Sequence, residues 1–256
     1  MPVIPMLHPR AAARQALRRG LPRRGFRLVV CSAPDRVEAA LQRELVEAVV
    51  LDVATAPVEW VFTLVRRFPR IPVFAMSRFR AGDGELLLAC RRAGCADTLV
   101  EGMDDAAAGE LVARRAASAR RRHALGSAAM LLRLSEPIQL DAWDEVLRRA
   151  GRPTTTSDVA ASLGMTREHL SREFAAGGAP NLKRVIDLAR TVWAADLLAN
   201  PGYSVKVVAR LLGFTSPSHL AASARRVAGV VPQDLATLDV GVVLDRFRRG
   251  RMRSRL

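Results

Sequence analysis

The sequence predicts a two-part fold: an α/β half built on a doubly wound five-stranded parallel sheet, then an all-α half holding a tandem helix-turn-helix bundle. Three observations carry this. Short β-branched runs alternate with helical stretches as far as about residue 120. From Asp141 onward strand signals largely vanish and helical periodicity takes over. Within that second half one pattern of polar cap, apolar face and turn glycine occurs twice, about 50 residues apart. At 256 residues, 50% of them hydrophobic, the chain is long enough to bury two cores.

The strand-like runs are Val3 to Leu7, Arg27 to Cys31, Ala48 to Val53, Ile71 to Met76 and Thr98 to Val100. Helical stretches follow them at Pro9 to Arg19, Pro34 to Leu45, Val58 to Arg67 and Glu85 to Ala93, with a last helix from Asp104 toward Arg122. Five such units predict a parallel sheet covered on both faces. Its crevice lies at the carboxyl ends of the strands, which is where Asp52 ends the third run. The α/β domain is assigned to residues 1–122. The charged stretch Arg114 to His123 is interrupted at Gly126-Ser127, so residues 123–136 are read as a linker. A helical domain takes 137–240. Residues 241–256 form an arginine-rich tail, with Arg246, Arg248, Arg249, Arg251, Arg253 and Arg255, expected to be disordered without a partner.

A formal net charge of +15, carried almost wholly by arginine because Lys183 and Lys206 are the only lysines, points to a polyanionic partner. GC-rich coding would account for arginine over lysine but not for the excess of positive charge. Cys31, Cys90 and Cys95 show neither a C-x-x-C spacing nor a paired histidine, so buried reduced thiols are expected, with no zinc site, no metal and no cofactor. No apolar run approaches the roughly 18 to 20 residues that span a bilayer, so no membrane partner is expected. The arginine-rich start resembles a transit peptide superficially and fits better as a first strand and helix, which leaves a cytoplasmic protein as the expectation. No Gly-rich phosphate loop, nucleophile elbow or His/Cys cluster argues for an enzyme.

In the first of the paired patterns, Thr155 to Phe174, polar caps open two helices and Gly164 turns the chain between them. Val159, Ala160, Leu163, Leu170 and Phe174 have the spacing to pack inward, leaving Arg167, Glu168, Ser171 and Arg172 outward. The second pattern runs from Ser204 to Leu220, with Ser216 as a cap and Pro217 at the first helical position. Helices so arranged are the major-groove readers of double-stranded DNA.

The second half resembles the DNA-binding domain of AraC-family transcription regulators. Leu188-Ala189-Arg190 and Ala194-Ala195-Asp196-Leu197-Leu198 match its linker helix, Ala209-Arg210-Leu211-Leu212-Gly213-Phe214 its A-x-x-x-G-F signature, and Gly229-Val230-Val231-Pro232 its G-x-x-P close. The resemblance covers about residues 137 to 238 and implies two three-helix units reading successive major-groove segments on one face of DNA. By position it makes Glu168, Ser171 and Arg172 base readers, with Thr166, Arg167 and the neighbouring His169 also in the first DNA-facing set. In the second unit Leu220 and Ala224 replace the usual phenylalanines, and Ala222 the usual reading arginine. Ser216, Ser218 and His219 remain there as polar contacts, and Arg225 and Arg226 as phosphate contacts.

The first half resembles a response-regulator receiver domain. Val49-Val50-Leu51-Asp52 matches the strand bearing its phosphoacceptor, Ser77 the switch hydroxyl, and Ala93 to Val100 the approach to the fifth strand. Phosphorylation in that family needs Mg²⁺ held by acids after the first strand; here those positions are Met6, Leu7 and His8. Glu101 stands where a lysine pairs with the phosphoryl group, and Gly102 follows it in place of proline. The expectation is a DNA-binding regulator of bacterial type whose receiver-like half regulates or forms a homodimer without ordinary phosphorylation, with RNA polymerase as a further partner. The alternatives are an active two-component response regulator phosphorylated at Asp52 and an enzyme or small-molecule binding domain in the α/β half.

Overall fold

The computed structural model describes residues 1–23, 25–126 and 128–253, with side chains to residue 250. It divides into two compact units, Met1–Arg120 with Asn200–Gly202, and Arg121–Ala199 with the residues from Tyr203 onward.

The first unit runs β1 (Val3–Leu7), α1 (Ala11–Gly20), β2 (Arg27–Cys31), α2 (Pro34–Arg43), β3 (Val49–Leu51), α3 (Val58–Arg67), β4 (Val73–Ser77), α4 (Gly84–Ala93), β5 (Asp97–Val100) and α5 (Ala108–Arg115). All strand pairs are parallel, in the order β2-β1-β3-β4-β5. That is one of the two common doubly wound orders, and its crevice opens where β1 and β3 part to opposite winding directions. Met6 lies opposite Val50 and Leu7 opposite Leu51, so the residues after these strands, His8 and Asp52, come out side by side at the crevice. Every residue of β1, β3 and β4 is buried, as strands covered on both faces must be. Ile4, Met6, Leu17, Val50, Phe74, Met76, Leu99 and Val112 fill the core on one side of the sheet.

The single last helix expected from Asp104 toward Arg122 is two helices, α5 and α6 (Ala117–Leu125), separated at Ala116, whose ψ is 148°. Glu47 is the cause. It is 1% exposed; its carbonyl accepts from Ala117 N at 2.8 Å and its carboxylate from Ser118 N. A helix leaves its first N–H groups without partners, and a buried carboxylate satisfies them and the positive end of the dipole together.

The second unit continues with α7 (Ala128–Leu131), α8 (Pro137–Arg149), α9 (Thr156–Ser162), α10 (Arg167–Phe174), α11 (Leu182–Leu198), α12 (Val205–Leu211), α13 (Pro217–Ala228), α14 (Pro232–Leu235) and α15 (Val240–Arg253). The stretch read as a linker contains the end of α6 and all of α7, and Leu125, Ala128, Leu132 and Leu134 are buried. Arg121, at its edge, is 2% exposed, its Nη1 2.9 Å from Asp196 Oδ2 and its guanidinium 5.1 Å from the Trp193 ring centre. One of the charges just before this stretch is therefore internal.

Helix α11 is buried nearly all round, through Val185, Leu188, Ala189, Val192, Trp193 and Leu197, as befits the central helix of a bundle. The tail is a second correction. Residues 240–253 are helical, and Val243, Leu244 and Phe247 are at most 3% exposed, with the Arg184 guanidinium 5.0 Å from the Phe247 ring centre. Apolar residues at that spacing inside an arginine run make an amphipathic helix, and packing offsets the cost of ordering it. The side chains of Arg251 and Arg253, and the whole of Arg255, lie outside the described residues.

The cysteines are unpaired; Cys31 and Cys90 are buried, whereas Cys95 is only half-buried, with burial pushing its thiol up to about 12. Among the described residues no helix is long and apolar enough to cross a membrane.

Candidate nucleic-acid interface and acidic pocket

Thr155 opens α9 with a reciprocal capping box: its hydroxyl accepts from Asp158 N at 3.2 Å, and the Asp158 carboxylate accepts from Thr155 N at 2.7 Å. The turn into α10 passes through Gly164 at φ +68°, a left-handed conformation that a side chain strains. Thr166 then caps α10 by accepting from His169 N at 3.2 Å. Leu170 and Phe174 are fully buried beneath the helix. Arg167, Glu168, His169 and Arg172 are exposed along its outer face and Ser171 is half-buried. Leu163, expected inward with the core, is also half-buried, because it sits at the C-cap of α9 where the backbone leaves the helix. His169 also faces the Glu173 carboxylate at 4.0 Å, one turn on.

The second pair repeats the arrangement. Ser204 caps α12 and Ser216 caps α13, accepting from Val207 N at 3.3 Å and His219 N at 3.0 Å. Gly213 occupies the turn at φ +65°, and a Cβ there would lie 2.2 Å from the Pro153 ring. Leu220 and Ala224 are fully buried, so two smaller residues do seat α13. Ser218 and Arg225 are exposed. His219 is exposed but already engaged, with its Nδ1 3.0 Å from Thr215 Oγ1 and its ring edge-on to Phe214 at 5.4 Å. Arg226 donates to Asp187 of α11 at 3.0 Å.

Polar contacts from α11 hold the second pair in place. Arg190 lies 3.7 Å from the Phe214 ring centre and donates to the Leu212 carbonyl through Nε at 3.1 Å and Nη2 at 2.8 Å; burial lowers its pKa from the usual arginine value. Thr191 and Ser223 share a buried hydrogen bond of 3.3 Å between α11 and α13. A polar residue on the inward face of an apolar helix is the available sign of such a contact, and Thr191 shows it.

In the α/β unit, Asp52 is 6% exposed at the carboxyl end of β3. Its carboxylate accepts from the Ser77 hydroxyl, from Ala54 N at 3.2 Å and from Thr55 Oγ1 at 3.0 Å. His8 is 2% exposed; its Nδ1 accepts from Arg10 N at 3.2 Å, which puts the proton on Nε2. That Nε2 has no hydrogen-bond partner and lies 3.9 Å from Glu101 Oε2. Glu101 is instead paired with Arg10, Nη1 to Oε2 3.1 Å. Burial lowers the His8 pKa, against the opposing pull of Asp52 and Glu101, so the imidazole is neutral at pH 7. The sequence brings Asp52, Ser77, Glu101 and His8 to one place; Arg10 and Thr55 were not foreseen. Among the described residues no three or more histidine, cysteine or acidic side chains are grouped to hold a metal ion.

With that geometry in view, comparison with known proteins places a helix-turn-helix domain at residues 159–237. No curated protein matches the chain. Among solved structures, full-length FixJ from B. japonicum is 17% identical with a TM-score of 0.38, over 93% of this chain and 98% of that one. The Salmonella typhimurium response regulator RcsB is 13% identical with a TM-score of 0.36, over 73% and 98%. A response regulator from Burkholderia pseudomallei is 16% identical with a TM-score of 0.37, over 68% and 99%. The strand order, with Asp52 at the carboxyl end of β3, is the doubly wound order that a receiver-like unit has. The chain carries a helix-turn-helix DNA-binding domain at residues 159–237, behind a five-stranded parallel α/β unit of receiver-like topology.

Proposed function

We propose that the protein binds a specific duplex through α10 and α13, each entering its own major-groove segment on one face of the DNA. The observation that carries this reading is the repeated construction: two capped outer helices, each preceded by a glycine turn, α10 packed on α8 and α9 and α13 on α11 and α12, in a strongly basic chain. Glu168, Ser171 and Arg172 read base edges from α10, and Thr166, Arg167 and His169 lie toward the phosphates. From α13, Ser218 and His219 make the remaining polar contacts, with Ser216 at the cap and Arg225 on phosphate. Because Ala222 replaces the usual arginine, the second unit discriminates less; an arginine bidentate to guanine is worth about 1 to 3 kcal/mol that alanine cannot supply. The receiver-like unit regulates this binding or pairs two copies, without ordinary phosphorylation. In support, Asp52 is occupied by Ser77, Thr55 and Ala54, and Arg10 and His8 stand with Glu101 where a metal-dependent phosphoryl site needs open acids.

The test is selection from a random duplex library at physiological salt with the purified chain, followed by sequencing of the bound pool. An asymmetric motif in two parts, one helical turn apart, is the expected result, with stronger base preference in one part. A bound pool indistinguishable from the input would overturn the specific-reader reading.

A further inference from the structure

Gln139 lies on α8, twenty residues before the matched helix-turn-helix domain begins at 159, and is 0% exposed. All the hydrogen-bonding capacity of its amide is used. Nε2 donates to the Phe174 carbonyl at 3.0 Å and the Ala176 carbonyl at 3.1 Å, with the Glu173 carbonyl at 3.5 Å. Oε1 accepts from Ser135 N at 2.9 Å and Glu136 N at 3.2 Å. Two carbonyls on one side and two N–H groups on the other fix which end of the amide is nitrogen. One side chain thus satisfies the last carbonyl of α10, a carbonyl of the turn that follows it, and the N–H groups just before α8, which helix ends otherwise leave unpaired.

The outer helix α10 is only eight residues long. Its N-terminus is capped by Thr166 and its underside packs through Leu170 and Phe174. Ser171 and Arg172 belong to its last turn, the end that Gln139 holds. A change of tilt there moves Arg172 sideways across a base pair, whereas phosphate contacts through long, flexible arginines follow such a movement readily. We propose that Gln139 is a positioning residue for the first reading helix, setting its register on the bases and hence the sequence preference of the protein rather than its general affinity for DNA. This rests on the reading of α10 as a base reader given above.

Two variants test it in the full chain. Gln139→Leu removes all the hydrogen bonds at similar volume. Gln139→Glu keeps the acceptor but turns a carboxylate toward three carbonyls, and regains one donor only when that carboxyl is protonated. The expected result for both at pH 7 is a fall of about tenfold in the ratio of affinities for the library-selected duplex and a random duplex, which is 1.4 kcal/mol. Random-duplex affinity stays within about twofold, and for Gln139→Glu the ratio recovers as pH is lowered toward 5. Amide hydrogen exchange supplies the arm that does not depend on DNA. Protection across 166–176 should fall by about tenfold, with 217–228 unchanged. Equal loss of specific and random affinity, or an exchange change spread over both outer helices or absent from both, would overturn the proposal. If the wild-type chain shows no sequence preference, the base-reader reading fails, and the exchange comparison still decides whether Gln139 positions α10.

Discussion

Arg226 of α13 reaches across to Asp187 of α11, Nη2 to Oδ2 3.0 Å, while its neighbour Arg225 points into solvent. Two adjacent arginines that the sequence treats alike are thereby given different work. Arg225→Ala should lower the log–log salt dependence of binding by about 0.9, the contribution of one released counterion. Arg226→Ala should leave that slope nearly unchanged. Affinity titrations of both variants from 50 to 200 mM salt decide it; equal slopes for the two variants would contradict the division.

Arg172→Ala should relax preference among binding sites by about 1 to 3 kcal/mol while barely changing affinity for random duplex. Competition titration with single-base variants of the selected site measures this. Equal loss on specific and random DNA would reduce Arg172 to a phosphate contact.

Asp52 should take up no phosphoryl group from acetyl phosphate in the presence of Mg²⁺. Its carboxylate is already bonded to Ser77, Thr55 and Ala54, and a second carboxylate, Glu101, stands near His8 beside the crevice. Intact-mass spectrometry over an hour is the check. A shift of one phosphoryl group that disappears in Asp52→Asn would show that the pocket has kept its chemistry.

His8 gives the α/β unit a pH dependence whose sign follows from its burial. Its pKa in the folded protein lies below the ordinary 6.5, so the folded state binds fewer protons than the unfolded chain as pH falls. The stabilising contribution is present above 6.5 and is lost on acidification through the window below it. Hydrogen exchange of the β1 and β3 amides should accelerate more steeply between pH 7 and pH 5 in the wild type, after correction for intrinsic exchange, than in His8→Gln. Identical profiles would mean that His8 titrates alike in both states.

Phe247→Ala should destabilise the helical unit by about 3 kcal/mol, because the ring is 3% exposed in the packed face of α15. Thermal unfolding followed by circular dichroism tests it. An unchanged melting temperature would return the C-terminal helix to the status of a loose charged tail.

Legibility followed the kind of signal. The inner strands β1, β3 and β4 were plain because parallel strands buried on both faces leave continuous apolar runs, and the two outer helices because Thr155, Thr166, Ser204 and Ser216 are local caps and Gly164 and Gly213 local turns. The break at Ala116 was not legible, because its cause, Glu47, lies far away in sequence. The packing of α15 was obscured because the apolar residues Val243, Leu244 and Phe247 are few and adjoin a dense arginine run. In the functional sites, exposed residues of α10 and α13 could be read off helical periodicity, whereas Gln139, Arg190 and Arg10 act through contacts across the fold, which no window of sequence contains.

The tandem-reader claim is tested most directly by chemical footprinting of the selected duplex with the full chain bound, using reagents that probe major-groove base atoms. Two protected major-groove patches on one face of the duplex, centred about 10 base pairs apart, are the result this account requires. Removal of protection in one patch alone by Arg172→Ala would assign that patch to α10. A single protected patch, or two on opposite faces of the duplex, would contradict it.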